Sequence, residues 1–142
     1  MEVAAIMSKK VVMVGPEDTV EKACRLMDDE DVGCVLVLDA GRKPIGLLTD
    51  RDVVTRGVAK GRRLSELAVQ EIMTRNPFAV KPTEPVMLAA KRMAGLLVRR
   101  LPVVDDEGRA VGVVSVDDFL LVLITELSNV ATAIVGTSKL GK

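Results

Sequence analysis

Residues 46–52 read Gly-Leu-Leu-Thr-Asp-Arg-Asp, and residues 112–118 read Gly-Val-Val-Ser-Val-Asp-Asp. Each stretch runs from a glycine through two aliphatic residues to a hydroxyl residue, and a carboxylate follows the hydroxyl three positions later. This pattern is typical of a strand that ends where a helix begins. The offset from 46 to 112 is 66 positions, and the same offset superimposes most of the chain on itself.

The repeat continues on both sides of these stretches without a gap. The residues that match across the offset include Ile6 with Ile72, Met7 with Met73, Pro16 with Pro82, Val20 with Val86, Met27 with Met93 and Asp39 with Asp105. Two copies are too few for a solenoid, and one copy is too small to bury a good core alone. We therefore expect the copies to pack about a pseudo-twofold axis, so that any site occurs twice.

The hydrophobic pattern changes in the same order within each copy and predicts a mixed α/β fold. The order is strand, helix, strand, strand, helix. In the first copy the strands are expected over residues 11–14, 35–38 and 45–48, with helices from residue 20 and from Thr49. In the second copy they are expected over 78–80, 101–104 and 111–114, with helices over 86–93 and from Ser115 to about residue 130. Between the copies, Ser65 is expected to cap a short helix that ends near Met73.

Composition disfavours nucleic-acid binding. Lys plus Arg and Asp plus Glu are both 20, so the chain has no net positive field for a phosphate backbone. Trp and Tyr are absent, and Phe78 and Phe119 are the only aromatic residues, which removes the usual platforms for stacking bases.

Composition also disfavours catalysis and membrane insertion. His is absent, and with it the commonest general base and metal ligand near neutral pH. Cys24 and Cys34 are too few for a metal site or a disulfide framework, which favours a reducing cytoplasm. We expect no signal segment, and no apolar run reaches the ~18 residues of a span. The strongest run, residues 119–124, is soon followed by Glu126.

Two interpretations fit the hydroxyl–carboxylate pairs Thr49/Asp52 and Ser115/Asp118. The first is a capping box, in which hydroxyl and carboxylate satisfy free N–H groups at a helix start. The second is a ligand site, in which the hydroxyl and free N–H groups face an anion and the carboxylate accepts hydrogen bonds from a ribose diol. Spacing alone leaves both interpretations open.

The chain resembles a tandem pair of cystathionine β-synthase (CBS) domains, known as a Bateman module. The resemblance rests on residues 6–8 and 72–74, the turns at Pro16 and Pro82, residues 99–105 and the two stretches quoted above. It implies two β-α-β-β-α repeats packed through their sheets, with two clefts that commonly bind adenosine derivatives. The expected division is a first repeat over residues 3–60, a connector over 61–71, a second repeat over 72–127 and a tail over 128–142.

The resemblance also assigns residues to the two clefts. Thr49 and Ser115 correspond to hydroxyls near the phosphate or ribose, and Asp52 and Asp118 to acceptors for the ribose diol. Each cleft is expected to borrow an apolar wall from the other repeat. The wall residues are Val12 and Val32 for the Asp118 cleft, and Phe78 and Val98 for the Asp52 cleft. Ordinary core packing is the alternative for these four.

Arginines are expected to distinguish the clefts. Arg99 and Arg100 lie where similar proteins place residues that bind phosphate, whereas the first copy has Gly33 and Cys34 there. A guanidinium forms charge-assisted contacts that a thiol does not form. We therefore expect the Ser115/Asp118 cleft to bind the more highly phosphorylated ligand, or to bind its ligand more tightly.

These observations predict a stand-alone regulatory module rather than an enzyme. It is expected to bind AMP, ADP or ATP, with S-adenosylmethionine and NAD as other possible ligands, and to transmit the ligand state to an unknown partner chain. A homodimer is expected, with no required cofactor, metal, nucleic acid or membrane. The alternative is a constitutive oligomerisation or interaction module without a nucleotide. An enzyme that holds a metal on its paired aspartates is disfavoured because no nucleophile is evident.

Overall fold

The computed structural model describes residues 1–139 and has the predicted mixed α/β fold. The strands are β1 (Met13–Val14), β2 (Cys34–Leu38), β3 (Pro44–Thr49), β4 (Thr74–Arg75), β5 (Arg100–Val104) and β6 (Ala110–Ser115). The helices are α1 (Val20–Glu30), α2 (Asp50–Asp52), α3 (Val86–Leu96) and α4 (Val116–Lys139). Short 3-10 turns lie at Val3–Ala5, Val58–Lys60 and Val69–Glu71, and α2 continues into a π turn at Val53–Gly57.

Helix α1 shows how local signals set an element. The Thr19 side chain caps it by accepting a hydrogen bond from the Lys22 N–H at 3.1 Å. Val20, Ala23 and Met27 recur on one face and are buried. The helix ends at Asp31, whose φ of 53° is left-handed.

Each repeat contributes one antiparallel hairpin. In the first, β2 pairs with β3 so that Cys34 stands opposite Thr49. In the second, β5 pairs with β6 so that Arg100 stands opposite Ser115. Each hydroxyl residue therefore lies beside the first residue of its partner strand, at the end of the hairpin where a helix begins.

The two repeats exchange their leading segments. Strand β4, at the head of the second repeat, pairs with β3 of the first, and Ser8 forms the equivalent bridge to Val113. The Val3 N–H donates to the Glu84 carbonyl at 2.9 Å. Its counterpart Val69 donates to the Asp18 carbonyl at 2.8 Å. Reciprocal contacts between positions 66 apart are those that a pseudo-twofold axis produces.

Three buried clusters follow from this exchange. The first repeat's core includes Leu67, Val69, Ile72 and Met73, although the first two lie in the predicted connector. The second repeat's core includes Val3 from the start of the chain. A third cluster joins the hairpins, with Leu36 and Leu38 packed beside Ala110. The repeats therefore pack through their sheets, as predicted.

The strand expected over residues 78–80 is absent. In the first repeat the Leu36 N–H donates to the Val12 carbonyl at 2.9 Å. The equivalent of Leu36 is Pro102, which has no N–H to donate. Only an isolated parallel bridge between Val80 and Val103 remains.

The expected cap at Ser65 is also wrong. The short 3-10 turn begins after Ala68, whose N–H donates to the Glu71 side chain at 2.8 Å. Ala68 is held extended because it bridges Thr19 of the first repeat. The long-range bridge, rather than a local hydroxyl cap, decides where this turn starts.

Helix α4 is longer than the sequence predicted, since it runs through most of the expected tail to Lys139. Phe119 in its first turn packs against the second repeat's core. By length and composition alone, Val116–Thr137 is long and apolar enough to cross a membrane. None of the residues in this segment is buried. This corrects the expectation of a short apolar patch limited to residues 119–124. Glu126 does not interrupt the helix, because a single charge leaves the helical hydrogen bonds intact.

Candidate ligand-binding clefts

Both hydroxyl–carboxylate pairs form capping boxes. The Asp52 N–H donates to Thr49 Oγ1 at 3.1 Å, and the Thr49 N–H donates to Asp52 Oδ2 at 3.0 Å. The Asp118 N–H donates to Ser115 Oγ at 3.3 Å, and the Ser115 N–H donates to Asp118 Oδ2 at 2.8 Å. Each box occupies one carboxylate oxygen. Capping is therefore established for both pairs, and Oδ1 remains the atom through which each carboxylate could also hold a ligand.

The first cleft, which we call the Asp118 cleft, has a volume of about 300 Å³. It brings together five predicted site residues, Val12, Val32, Arg100, Ser115 and Asp118. The rest of its lining was not predicted from the sequence and comprises Ser8, Lys10, Asp31, Gly33, Cys34, Leu36, Val113 and Asp117. Two aliphatic side chains from the first repeat thus face a hydroxyl and a carboxylate from the second.

The second cleft, which we call the Thr49 cleft, has a volume of about 390 Å³. Its lining includes Thr49 and Val98, which were predicted for this cleft, and Arg99 and Arg100, which were predicted for the other one. The remaining lining residues are Cys34, Leu47, Asp50, Arg51, Thr74 and Leu97. The two clefts therefore share a pattern of a hydroxyl from one repeat and an aliphatic wall from the other.

Asp52 and Phe78 do not line the Thr49 cleft. The Asp52 carboxylate accepts a hydrogen bond from the Thr49 N–H through Oδ2, and its Oδ1 lies 3.9 Å from Nε of Arg56. Phe78 is 47% exposed, and its ring centroid lies 5.0 Å from the guanidinium carbon of Arg92. This structure does not bring either side chain together with Thr49 and Val98.

The arginines are distributed differently from the expectation. Arg99 lines only the Thr49 cleft, and its Nη2 lies 3.9 Å from Oδ1 of Asp117, which lines the Asp118 cleft. Arg100 lines both clefts. The lining of the Thr49 cleft carries Arg51, Arg99 and Arg100 against the single carboxylate of Asp50. This charge balance reverses the argument for placing the more highly phosphorylated ligand in the Asp118 cleft.

The Asp118 cleft is more acidic. Its cations are Lys10 and Arg100, and its carboxylates are Asp31, Asp117 and Asp118. The Lys10 ammonium also forms an ion pair with Glu30 outside the cleft lining. A polyphosphate would therefore meet a less favourable field here than in the Thr49 cleft.

Cys34 also lines both clefts, although it was not among the predicted site residues. It is the counterpart of Arg100 across the 66-residue offset, and this relation was available from the sequence. Burial raises the pKa of its thiol from 9.0 to about 11, and the positive charge of Arg100 opposes that rise. The Cys34 side chain is therefore a neutral thiol on the wall between the clefts.

Metal binding has no support in the described geometry. Within residues 1–139, no group of three or more Cys, Asp or Glu side chains is placed to hold a metal ion. The paired aspartates of the two helix starts are used in caps and clefts instead.

Comparisons with known proteins agree with this architecture. The family model of the CBS domain matches residues 3–58 and 69–125. Among solved structures, the CBS domain pair of protein MJ0100, in complex with 5'-methylthioadenosine and S-adenosyl-L-methionine, superposes with a TM-score of 0.80 at 25% identity. The match covers 89% of this chain and 98% of that one. A hexameric CBS-CP12 protein from bloom-forming cyanobacteria superposes with a TM-score of 0.77 at 29% identity, covering 84% of this chain and 69% of that one.

Curated relatives share the domain within proteins of different length. The CBS domain-containing protein YhcV of Bacillus subtilis is 33% identical over 123 residues, which cover 87% of this chain and 84% of that protein. An inosine-5'-monophosphate dehydrogenase of Korarchaeum cryptofilum is 36% identical over 110 residues, which cover 78% of this chain and 22% of that enzyme.

An uncharacterized protein of Methanopyrus kandleri is 30% identical over 122 residues, which cover 86% of this chain and 62% of that protein. The chain thus spans less than two thirds of the Methanopyrus and Korarchaeum proteins. The family model accounts for both repeats, and the superposed pair accounts for their arrangement. The chain belongs to the CBS domain family, and its two repeats form a CBS domain pair, a regulatory module.

Proposed function

We propose that the pair binds adenosine nucleotides of the AMP, ADP or ATP type in its two clefts and transmits their presence to a partner chain. One observation carries this proposal: each cleft is lined by a hydroxyl residue from a capped helix start and by aliphatic residues from the other repeat, and Arg100 lines both clefts. The MJ0100 pair, with its two adenosine-derived ligands, supports the choice of ligand class.

The Asp118 cleft provides one contact for each part of a nucleotide. Val12 and Val32 offer apolar surfaces for the faces of a base. Asp118 uses Oδ2 in its cap, which leaves Oδ1 to accept a hydrogen bond from a ribose hydroxyl. Arg100 provides charge-assisted donors for a phosphate. S-adenosylmethionine and NAD also carry an adenosine and belong in the same binding panel.

Transmission requires that the ligand bind two arrangements of the pair with different affinity. Both clefts are lined from both repeats, so a ligand contacts the two hairpins at once. A ligand that draws these walls together would favour one packing of the repeats over another. The unknown regulated protein would then respond to that packing.

Thermal unfolding with AMP, ADP, ATP, S-adenosylmethionine and NAD tests this proposal. Ligand at ~100 times its Kd adds about 2.7 kcal/mol of stability to a one-site protein. The Asp118→Asn variant retains an oxygen for the Ser115 cap but loses the carboxylate charge. We expect it to lose the shift due to the Asp118 cleft, whereas the exposed control Glu17→Gln retains it. No shift with any of the five ligands would contradict nucleotide binding.

A second candidate is a constitutive oligomerisation module, and helix α4 is the observation that favours it. Beyond its first turns, α4 has aliphatic side chains spaced alternately three and four residues apart, and each is more than half exposed. They are Leu120, Leu123, Leu127, Val130 and Ile134. This is the spacing of a seam between two helices. A separate apolar groove between α3 and the start of α4 is lined by Ala90, Ala94 and Phe119.

We propose that a second copy of this chain covers this seam. A bilayer fits it less well, because Glu126 lies at the middle of Val116–Thr137 with Thr125, Ser128 and Asn129 around it. A charged residue at the bilayer centre costs roughly 2.5–3.5 kcal/mol on insertion scales. In a helix pair those polar residues can face water while the leucines pack together.

Light scattering of the purified chain tests the pairing. We expect a dimer that Leu127→Glu converts to a monomer, while Asn129→Glu on the polar side leaves it intact. A monomer at micromolar concentration, or flotation of the wild-type chain with phosphatidylcholine vesicles, would contradict it.

The cytoplasm is the compartment we propose, because Cys24 and Cys34 are both free thiols.

A further inference from the structure

Arg100 occupies a position that both clefts share. It is the first residue of β5, it stands opposite Ser115, and it lines the Asp118 cleft and the Thr49 cleft together. Cys34 holds the equivalent position in the first repeat and also lines both clefts. The two residues thus mark the pseudo-twofold axis, but only one of them carries a charge.

The Arg100 guanidinium rests against Gly33. A Cβ at Gly33 would lie 3.4 Å from Nη2 of Arg100 and 3.2 Å from Oδ2 of Asp50. Glycine therefore provides the space in which the guanidinium crosses from its own repeat toward the first. Among the described residues, no carboxylate lies within the 4.0 Å limit of an ion pair with Arg100. Its donors are thus available to a bound anion.

The other cations near the clefts serve one cleft each. Lys10 lines the Asp118 cleft and is paired with Glu30. Arg51 and Arg99 line only the Thr49 cleft. A phosphate in the Asp118 cleft therefore depends on Arg100 more heavily than a phosphate in the Thr49 cleft does.

We propose that Arg100 couples the two clefts negatively for ligands that carry phosphate. A phosphate bound in one cleft takes the guanidinium, so a second phosphate ligand binds the other cleft without it. Adenosine, which has no phosphate, does not recruit Arg100 and binds the clefts independently. This inference rests on the proposed nucleotide binding, and it adds a rule for how the two sites influence each other.

The coupling can be measured as a deviation from independent binding. Val98→Trp is designed to fill the Thr49 cleft, and Val32→Trp to fill the Asp118 cleft, so each variant reports the AMP association constant of the remaining cleft by calorimetry. For independent clefts, the product of these two constants equals the product of the two stepwise constants of the wild type. We expect the wild-type product to be about 10- to 100-fold smaller than the product from the two filled variants, the range for loss of one charge-assisted hydrogen bond. We call this difference the deficit.

Substitution of the arginine is the decisive comparison. In Arg100→Gln we expect the two products to agree within about threefold, whereas in the control Arg25→Gln, an exposed arginine that lines neither cleft, the deficit remains. Adenosine titrated into the wild-type chain and the two tryptophan variants is expected to show no deficit. Val98→Phe or Val32→Phe replaces a tryptophan variant that fails to fold.

The outcomes separate this inference from the proposed function. Binding of AMP at both clefts with no deficit in the wild type, or with a deficit that Arg100→Gln retains, overturns the coupling alone. Absence of binding by AMP, adenosine and the other nucleotides overturns the proposed function and the coupling with it. A deficit of equal size for adenosine overturns the role of the phosphate.

Discussion

Ser8 and Val113 exchange two backbone hydrogen bonds across the repeats, with N···O distances of 2.9 Å and 3.0 Å. The neighbouring Gly112 has no room for a side chain, because a Cβ there would lie 2.6 Å from the Ser8 carbonyl oxygen. At the equivalent glycine of the first repeat, Gly46, a Cβ would collide with Sδ of Met73. These two glycines allow the leading segments to exchange between repeats.

Gly112→Ala should therefore destabilise the fold by about 1–3 kcal/mol, the usual cost of overpacking. Gly46→Ala should cost less, because the flexible Met73 side chain can move whereas the Ser8 backbone cannot. Denaturant unfolding measures both effects. The control is Gly95→Ala in α3, where a Cβ meets nothing within 4 Å and helix propensity favours alanine. Equal stability of Gly112→Ala and wild type would show that the contact with the Ser8 carbonyl tolerates a side chain at position 112.

Cys34 should be slow to alkylate in the folded protein. With a pKa of about 11, only on the order of 0.1% of the thiol is ionised at pH 8, and burial restricts access further. We expect iodoacetamide, followed by mass spectrometry, to modify Cys24 before Cys34. Saturating AMP should slow the alkylation of Cys34 further, because this thiol lines both clefts. Faster labelling of Cys34 than Cys24 would contradict the placement.

The same thiol should make stability fall at alkaline pH. The folded pKa lies above the ordinary value of 9.0, so the folded state favours the neutral thiol. This contribution is fully present below pH 9 and is lost as pH rises toward about 11. The difference in unfolding free energy between wild type and Cys34→Ala should therefore shrink over that window. A constant difference from pH 8 to pH 11 would argue against the raised pKa.

The lowered pKa of Asp18 predicts that stability falls at acid pH. The Gly15 N–H donates to its Oδ2 at 2.7 Å and Lys22 Nζ lies 3.1 Å from its Oδ1, and these contacts lower the pKa of the carboxyl. Its stabilising effect is present above the unfolded pKa of about 3.9 and is lost as pH falls through the lower folded value. Asp18→Asn should thus destabilise the chain at pH 6 and converge with wild type toward pH 2. Unfolding free energies that differ by the same amount from pH 6 to pH 2 would contradict this role.

The capping boxes predict a cost that does not depend on ligand. Ser115→Ala should destabilise the apo chain by about 1 kcal/mol because the Asp118 N–H loses its partner. The conservative control Ser115→Thr should retain most of the stability because it keeps the hydroxyl. Chemical unfolding without nucleotide makes the comparison. Full stability of the alanine variant would mean that the cap contributes little to the fold.

The charge of the cleft linings predicts a preference among nucleotides. ATP should favour the Thr49 cleft, which Arg51, Arg99 and Arg100 line, over the more acidic Asp118 cleft. Arg99→Gln should then weaken the binding of ATP to this cleft about tenfold or more, and it should weaken the binding of AMP less. Titration of the Val32→Trp chain, in which the other cleft is filled, isolates the effect. An equal loss for AMP and ATP would contradict it.

Most elements of the fold were predictable because their signals are local. The repeat, the hairpins at 34–49 and 100–115 and the capped helix starts follow from spacing and turn chemistry within a few residues. The two capping boxes also lie within four consecutive residues each. Pro102 was visible in the sequence, but its effect on residues 78–80 depends on which strand lies beside it.

The residue pattern alone predicts a doubled α/β unit with two equivalent sets of hydroxyl and carboxylate groups. The folded arrangement was needed to show that Val3 and Val69 lie in each other's repeats, that Asp52 and Phe78 stay outside the Thr49 cleft, and that Arg100 lines both clefts. Periodicity and caps act along the chain, whereas cleft walls arise from contacts between residues that the pseudo-twofold packing brings together.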